Sequence, residues 1–597
     1  MTIRDTLAHA QAISSRCRVS SAVSPVCGKT LHIGFFFDGF ARNLEEDLRD
    51  NRISNIGKLF LAHQVDGQET PHVAFDVYRK FYFSGLGATY DASLGVQAGG
   101  VINRAQSDVM DIPGDTATDQ ALEGAKDKLS GRSWWQRLKR DLQNLRDRPL
   151  TGLKVFKDML VNTAVETVAP LRDSRWGAHM VKSGVEVRLE GALNRINREI
   201  TILNDIGQMP LRTIKVSVFG FDFGATLARA FVHELLGRCQ QRDSEYYYSN
   251  ARLEIVFAGL FDAVDRSAAE LPPLEYALPL TNRIDDGGLI HPEVKAVLHL
   301  VAAHERRFYR RARLLGARHR NWHEELMPGI SEDIGGGLAP GEQKASNELA
   351  LVSLHRMYRA AFAAGAALTP LQELPSKGRV ISSLFVFNDK APSQRSADAL
   401  VRHYQRWLGN QPPGHEAFIL HMRAYIRWLA HLWHAYKSEM AALSAQDDAL
   451  HRSQYSDPWS MRSFLGLRTT TRAEDREILR KRSEIWRRQS ELQKQLGWLD
   501  EVDSEARSIK NRQQVYGARA AGTRQRLEVW QALLSEWSAP QPLPAEVAEL
   551  FSFFVHDQVV LSAAQRSARG LSGENFFTIR GFDRPRGQLP EEQRESA

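Results

Sequence analysis

One stretch restricts what this chain can fold into more than any other: Lys215-Val216-Ser217-Val218-Phe219-Gly220-Phe221-Asp222-Phe223-Gly224-Ala225-Thr226-Leu227-Ala228-Arg229-Ala230-Phe231. β-Branched and aromatic residues run up to Gly220, the Gly-x-x-x-Gly spacing permits a sharp bend, and an alanine-rich pattern of helical period follows. The reading is a buried strand, a tight turn and a helix. The two glycines remove side chains that would collide in such a turn. The residue midway between them is therefore pushed above the strand end, at the positive end of the helix. That residue is Asp222.

The shape resembles the nucleophile elbow of α/β-hydrolases, Gly-x-Ser-x-Gly, with a carboxylate where the serine stands. Neighbouring segments continue an α/β pattern. Leu31 to Gly39 reads as a buried first strand ending in the Asp38-Gly39 turn, a place where such sheets put backbone donors. Phe75 to Phe83 reads as a second strand leading into Ser84-Gly85-Leu86-Gly87-Ala88-Thr89. Leu253 to Val264 is a third β-rich run that delivers Asp262 at its end, as a triad acid or as a turn or helix cap. Val294 to Arg313, which contains His299 and His304, is expected to be helical. Three consecutive glycines, Gly335 to Gly337, imply backbone passing close to something; they are not a phosphate loop, because no Lys-Ser/Thr follows. A helix over about 346–364 and a strand over 379–388 complete the expected domain.

A chain of 597 residues is longer than one hydrophobic core usually serves. The expected division is a leader over 1–29, an α/β-hydrolase-like domain over 30–394 with a helical insertion at about 90–205, a helical region over 395–580, and a disordered tail over 581–597. Within the insertion, Trp134-Trp135 beside Arg137, Lys139 and Arg140 has the composition of an interfacial helix, or of a helix packed on the body of the protein. Residues 471–519 read as a long helix or helical hairpin with a charged, solvated face, on which Glu alternates with Arg. Asn575 to Arg580 reads as a strand before the tail.

The excess of basic residues, 78 against 71 acidic, is too small to select a partner, and the mixed signs argue against nucleic acid. Three cysteines without metal-type spacing indicate neither a zinc site nor a disulfide framework. No metal and no cofactor are expected. No apolar run reaches the roughly 20 residues of a membrane span, and the N-terminus lacks a signal-peptide core.

Taken together, Phe36-Phe37-Asp38-Gly39, Ser84 to Thr89, Gly220-Phe221-x-x-Gly224-Ala225, Gly259-Leu260-Phe261-Asp262, Asp333-Ile334-Gly335-Gly336-Gly337 and Val555-His556-Asp557 resemble, in order, the catalytic domain of the type VI secretion phospholipase effectors, the lipase family one effectors. That resemblance implies an α/β-hydrolase core with lipid-touching helical insertions and ester hydrolysis by a Ser-Asp-His triad. It also implies a phospholipid membrane surface and a secretion spike or immunity protein as partners, and export from the bacterial cytoplasm into a target cell. Carried over residue by residue, it puts Asp222 at the serine position, Phe223 where arginine is common, Asp262 at the triad acid and Ser331 at the usual histidine. Asp38, Gly39 and Phe223 are then the oxyanion or loop positions. His556 and His323 are the remaining candidate bases.

A carboxylate at the elbow can attack carbon, as in dehalogenases, if a histidine activates water to release the ester. On an ordinary ester it would give a mixed anhydride and set negative charge beside the oxyanion donors. The sequence therefore leads to the expectation of a lipase-effector-like protein with a degenerate triad that binds lipid or a partner. An active hydrolase, by way of Asp222 or of a triad elsewhere, is the alternative. A scaffold acting through its C-terminal helices is a third.

Overall fold

A computed structural model describes residues 28–40, 42–66, 75–85, 175–206, 209–265, 290–306, 310–316, 319–411, 414–453, 465, 472–516, 521–557 and 576–583. The leader over 1–27, Gly87 to Thr89, the Trp134-Trp135 segment and the tail from 584 lie outside them.

The fold is α/β. Its sheet is built on β1 (Lys29–Phe37), β2 (Asp76–Phe83), β3 (Leu211–Phe221), β6 (Ala251–Phe261), β8 (Val297–Ala302) and β10 (Trp322–Met327), ordered β10-β8-β6-β3-β1-β2 and parallel throughout. A hairpin of β4 (Gln240–Arg242) and β5 (Glu245–Tyr248) adds antiparallel to the start of β6. Parallel strands are covered on both faces, which is why β1, β3 and β6 end in unbroken buried runs rather than alternating patterns.

The two faces separate by residue along β1. Phe35 and Phe37 pack at a tilt against Phe231 of α4 (Phe223–Gly237), whereas Phe36 meets Phe60 of α2 (Asn55–Ala62). The 32-residue α3 (Arg175–Ile206) packs beside α4, and its Leu189, Leu193, Ile196 and Ile200 are buried. A short α1 (Leu44–Arg49) precedes α2. Beyond the sheet lie α5 (Ser331–Gly335) and α6 (Leu349–Ala363).

Three expectations are corrected. The described residues of 294–313 form no helix. Val297 to Ala302 is a continuous apolar run of strand length, buried at every position as β8, and β9 (Arg311–Arg313) joins β7 (Val264–Asp265) and β11 (Phe582–Asp583) in a small second sheet. Residues 379–388 hold α7 (Arg379–Ser383) instead of a strand. There the Ser382 and Ser383 hydroxyls donate to the carbonyls of Arg379 and Val380, a local bond that competes with sheet pairing. The segment over 575–580 is turn and coil among its described residues, and the strand begins at Phe582.

The chain divides into two compact units, Met1–Val401 with Phe553–Ser572 and Arg580–Ala597, and Arg402–Ser552 with Gly573–Ile579. Helix α8 (Ala397–Leu408) spans the boundary. The second unit is built on α9 (His415–Ser453), α10 (Arg472–Leu496), α11 (Leu499–Tyr516) and α12 (Ala521–Ser538), followed by α13 (Ala545–Phe553). Ile485, Leu492, Leu499, Val502 and Leu533 form its apolar seam, and the buried Glu536 is held by Arg423 and Arg427. No helix among the described residues is long and apolar enough to cross a membrane.

Candidate active site at the strand ends

The site residues stand at the C-terminal ends of the parallel strands, where open α/β sheets place their ligands. Asp222 follows β3 with φ 54° and ψ −124°, a backbone conformation that L-residues rarely adopt. Its flanks explain how the turn closes. A Cβ on Gly220 would lie 2.4 Å from the Ala225 Cα, and one on Gly224 would lie 2.3 Å from the Asp38 carbonyl oxygen. The first turn of α4 therefore rests directly on the exit of β1, and both glycines are needed. The Asp222 N–H donates to the Phe261 carbonyl at 3.0 Å, and its own carbonyl accepts the Ala225 N–H at 3.2 Å.

The Asp222 carboxylate is buried, 1% exposed, and does not cap α4. Its Oδ2 accepts the backbone N–H of Phe40 at 3.2 Å. Phe40 sits in the loop after β1, the position from which a hydrolase of this shape offers an N–H to a reacting oxyanion. On the other side, Arg310 Nη1 lies 3.8 Å from Asp222 Oδ1 and 3.3 Å from Glu332 Oε1 of α5. One buried guanidinium thus faces two buried carboxylates.

The Asp38-Gly39 turn is tied down rather than open. Asp38 accepts the Gly39 N–H at 2.8 Å and the hydroxyls of Ser54 and Tyr82 at 2.7 Å each. Burial pushes its carboxyl up against the pull of these donors. Gly39 backs onto the Phe221 ring, 2.6 Å from where a Cβ would be, and Phe223 is buried at the start of α4. The glycine triplet passes close to the same ring. A Cβ on Gly335 would lie 2.1 Å from Phe221, Gly336 has φ 80°, and Gly337 abuts the Arg42 guanidinium.

Asp262 follows β6 at φ 46° and is fully buried. No imidazole bonds it among the described residues. Its Oδ1 accepts the Ala302 N–H at 2.9 Å, and both oxygens are taken by the guanidinium of Arg580, the Oδ2 contact at 3.0 Å. The nearby His299 is engaged elsewhere, its Nε2 accepting the Ala263 N–H at 3.1 Å and its Nδ1 at 2.9 Å from Glu324.

Ser331 opens α5 with its Oγ buried and without a hydrogen-bond partner among the described residues. Two residues on, Asp333 holds His556. Nδ1 lies 2.6 Å from Oδ1, and the His556 N–H donates to Oδ2 at 3.0 Å. Burial alone would pull the imidazole down, but the Asp333 carboxylate more than offsets it and holds His556 raised. Burial likewise pushes Asp333 up, so the pair retains its proton to higher pH. His556 Nε2 is buried, and the Glu342 backbone on that imidazole adds to the pull that holds it raised. The other candidate base, His323, is exposed near the start of β10, roughly 13 Å along the strand from the site end.

The structure thus brings Asp222 together with Phe40, Arg310 and Glu332, Asp262 with Arg580, and His556 with Asp333. It joins no serine, imidazole and carboxylate into a relay among the described residues. Of these partners Arg310, Glu332, Arg580 and Phe40 carry no sequence signal of their own beyond the arginine-rich run around 306–313.

No family model and no curated protein matches the chain. Among solved structures, an uncharacterized protein from Pseudomonas aeruginosa is similar to it with TM-score 0.52 and 18% identity, over 97% of this chain and 82% of that one. That likeness is one of fold. A weaker one, TM-score 0.35 and 16% identity over 66% of this chain and 84% of the other, is to the Tle1 effector bound to the VgrG spike from the type 6 secretion system.

Proposed function

We propose that this chain is a type VI lipase-effector-like protein that keeps the hydrolase scaffold without triad hydrolysis and acts by binding a phospholipid surface or a protein partner such as a secretion spike or immunity protein. The observation that carries this reading is the bond between Asp222 Oδ2 and the Phe40 N–H. A hydrolase reserves that donor for charge that develops on the substrate in the transition state. Here a resident carboxylate already fills it, and Arg310 balances that charge from the other side.

The remaining machinery supports the same reading. A triad needs its acid on the imidazole that serves the nucleophile. Asp262, at the acid position of the resemblance, is on a guanidinium, and the histidine position holds a serine.

A second reading, Asp222 as a nucleophile on carbon, is favoured by one observation, the strained elbow conformation at φ 54°. It requires a base that can reach the ester on Asp222, and no histidine is bonded there among the described residues.

The test is to incubate the protein with phosphatidylethanolamine/phosphatidylglycerol vesicles and read flotation and fatty-acid release together. Flotation without release supports the proposal. Release that disappears in Asp222→Asn replaces it with the second reading, and neither flotation nor release removes the lipid arm and leaves the protein partner as the form to test by capture.

A further inference from the structure

Arg580, just before β11, is held at a strand end 318 residues away in sequence. Its side chain is 1% exposed and that of Asp262 is fully buried. Both guanidinium ends meet the Asp262 carboxylate, Nη1 also donates to the Ala302 carbonyl at 3.1 Å, and Nε donates to the Arg310 carbonyl at 2.8 Å. The backbone on each side is fixed as well. The Gly581 carbonyl accepts the Ala312 N–H at 2.9 Å, Phe582 and Asp583 pair with Ala312 and Arg313, and Arg311 donates to the Phe582 carbonyl at 3.2 Å. The strand that delivers Arg580 therefore docks on the same short segment whose first residue, Arg310, faces Asp222.

A planar guanidinium in bidentate contact uses both oxygens of a carboxylate. With the Ala302 N–H on Oδ1 as well, three donors sit on the Asp262 carboxylate, and the guanidinium covers the edge that a histidine would approach. The geometry points to Arg580 as a latch on the acid position. The C-terminal strand holds Asp262 in an ion pair that keeps it from orienting a histidine, so the loss of the triad is locked at a third position beyond Asp222 and Ser331.

This inference rests on the assignment of Asp262 and Ser331 to the acid and histidine positions of a hydrolase. It predicts that Asp222→Ser with Ser331→His does not rebuild an acid–imidazole pair while Arg580 remains. Removal of the guanidinium in the same background, by Arg580→Met, frees Asp262 for the introduced imidazole.

The experiment follows that imidazole by NMR through a pH titration, its resonance identified by difference from the Asp222→Ser protein. With Arg580 present its titration is set by the burial of position 331 and by the Glu305 carboxylate on that residue's N–H, with no help from Asp262. With Arg580→Met it moves up by about one unit or more, as a neighbouring carboxylate requires. The same titration in both backgrounds overturns the latch. If Arg580→Met does not fold, Arg580→Gln, which keeps a donor for Asp262 and removes the charge, gives the same comparison. Ester turnover by the unaltered protein would overturn the non-hydrolytic reading instead, and leaves the titration readable on its own.

Discussion

The carboxylate of Asp222 accepts, through Oδ2, the backbone N–H of Phe40 at 3.2 Å, a residue 182 positions away in sequence. The bond joins the β3–α4 elbow to the loop after β1, so the strained turn and the donor loop are one structure. It is the relationship on which the proposed non-hydrolytic function rests, because an N–H already held by a resident anion is not free for a substrate oxygen.

The elbow strain gives a first prediction. At φ 54° and ψ −124° an L-residue carries a cost of about 1–3 kcal/mol that glycine does not. Asp222→Gly and Asp222→Ala both delete the carboxylate, and elsewhere alanine is the more stabilising by about 0.4–1 kcal/mol through the unfolded chain. Here the order reverses, and Asp222→Gly melts above Asp222→Ala in a thermal scan.

The Arg310 guanidinium serves two carboxylates, Asp222 and Glu332. Arg310→Met leaves both buried without it and costs about 3–5 kcal/mol, the usual result of stranding buried charge. Asp222→Asn added to Arg310→Met recovers part of the loss. The double-mutant cycle, read by denaturant unfolding of the first unit, returns a coupling of about 0.5–3 kcal/mol.

The His556–Asp333 pair gives a pH dependence of definite sign. The imidazole is raised in the folded protein, so its contribution is complete below the unfolded value of about 6.5 and fades as pH rises through the folded value. The raised Asp333 carboxyl acts in the same direction. The melting difference between the unaltered protein and His556→Gln is therefore largest at about pH 6 and narrows toward pH 9.

The glycine triplet is a packing device, and it can be tested as one. Gly335→Ala drives a methyl into the Phe221 ring, which lies 2.1 Å from the added atom, and costs about 1–3 kcal/mol or more. Phe221→Leu in the same protein relieves the clash, and the melting temperature of the double variant exceeds that of Gly335→Ala.

Local pattern carried much of this fold into view. The Lys215–Phe231 stretch is a strand, turn and helix because its β-branched run, its two glycines and its alanines all agree on one local geometry. β1, β2 and β6 were legible for the same reason, being apolar runs that end in acid or glycine turns. β8 was not. Val297 to Ala302 is an apolar run of strand length, but it continues into a charged segment of helical composition, and the seat between β6 and β10 decides for the strand.

At the site, the sequence put Asp222 at a turn after a strand and Asp262 at a strand end, but left Ser331 and His556 as positions in motifs and did not say what any of the four touches. Arg580 reaches Asp262 across 318 residues and Asp333 reaches His556 across 223, and no periodicity encodes such pairs. The meaning of the glycine triplet was visible as close approach, and the partner, Phe221, was not.

The most direct test of the central claim is the steady-state hydrolysis of a phospholipid and of a short-chain p-nitrophenyl ester by the purified protein beside its Asp222→Asn variant. Neither protein is expected to turn over either substrate above the buffer rate. Turnover by the unaltered protein that is lost on Asp222→Asn would contradict that claim, because the carboxylate held on the Phe40 N–H would then be the attacking group.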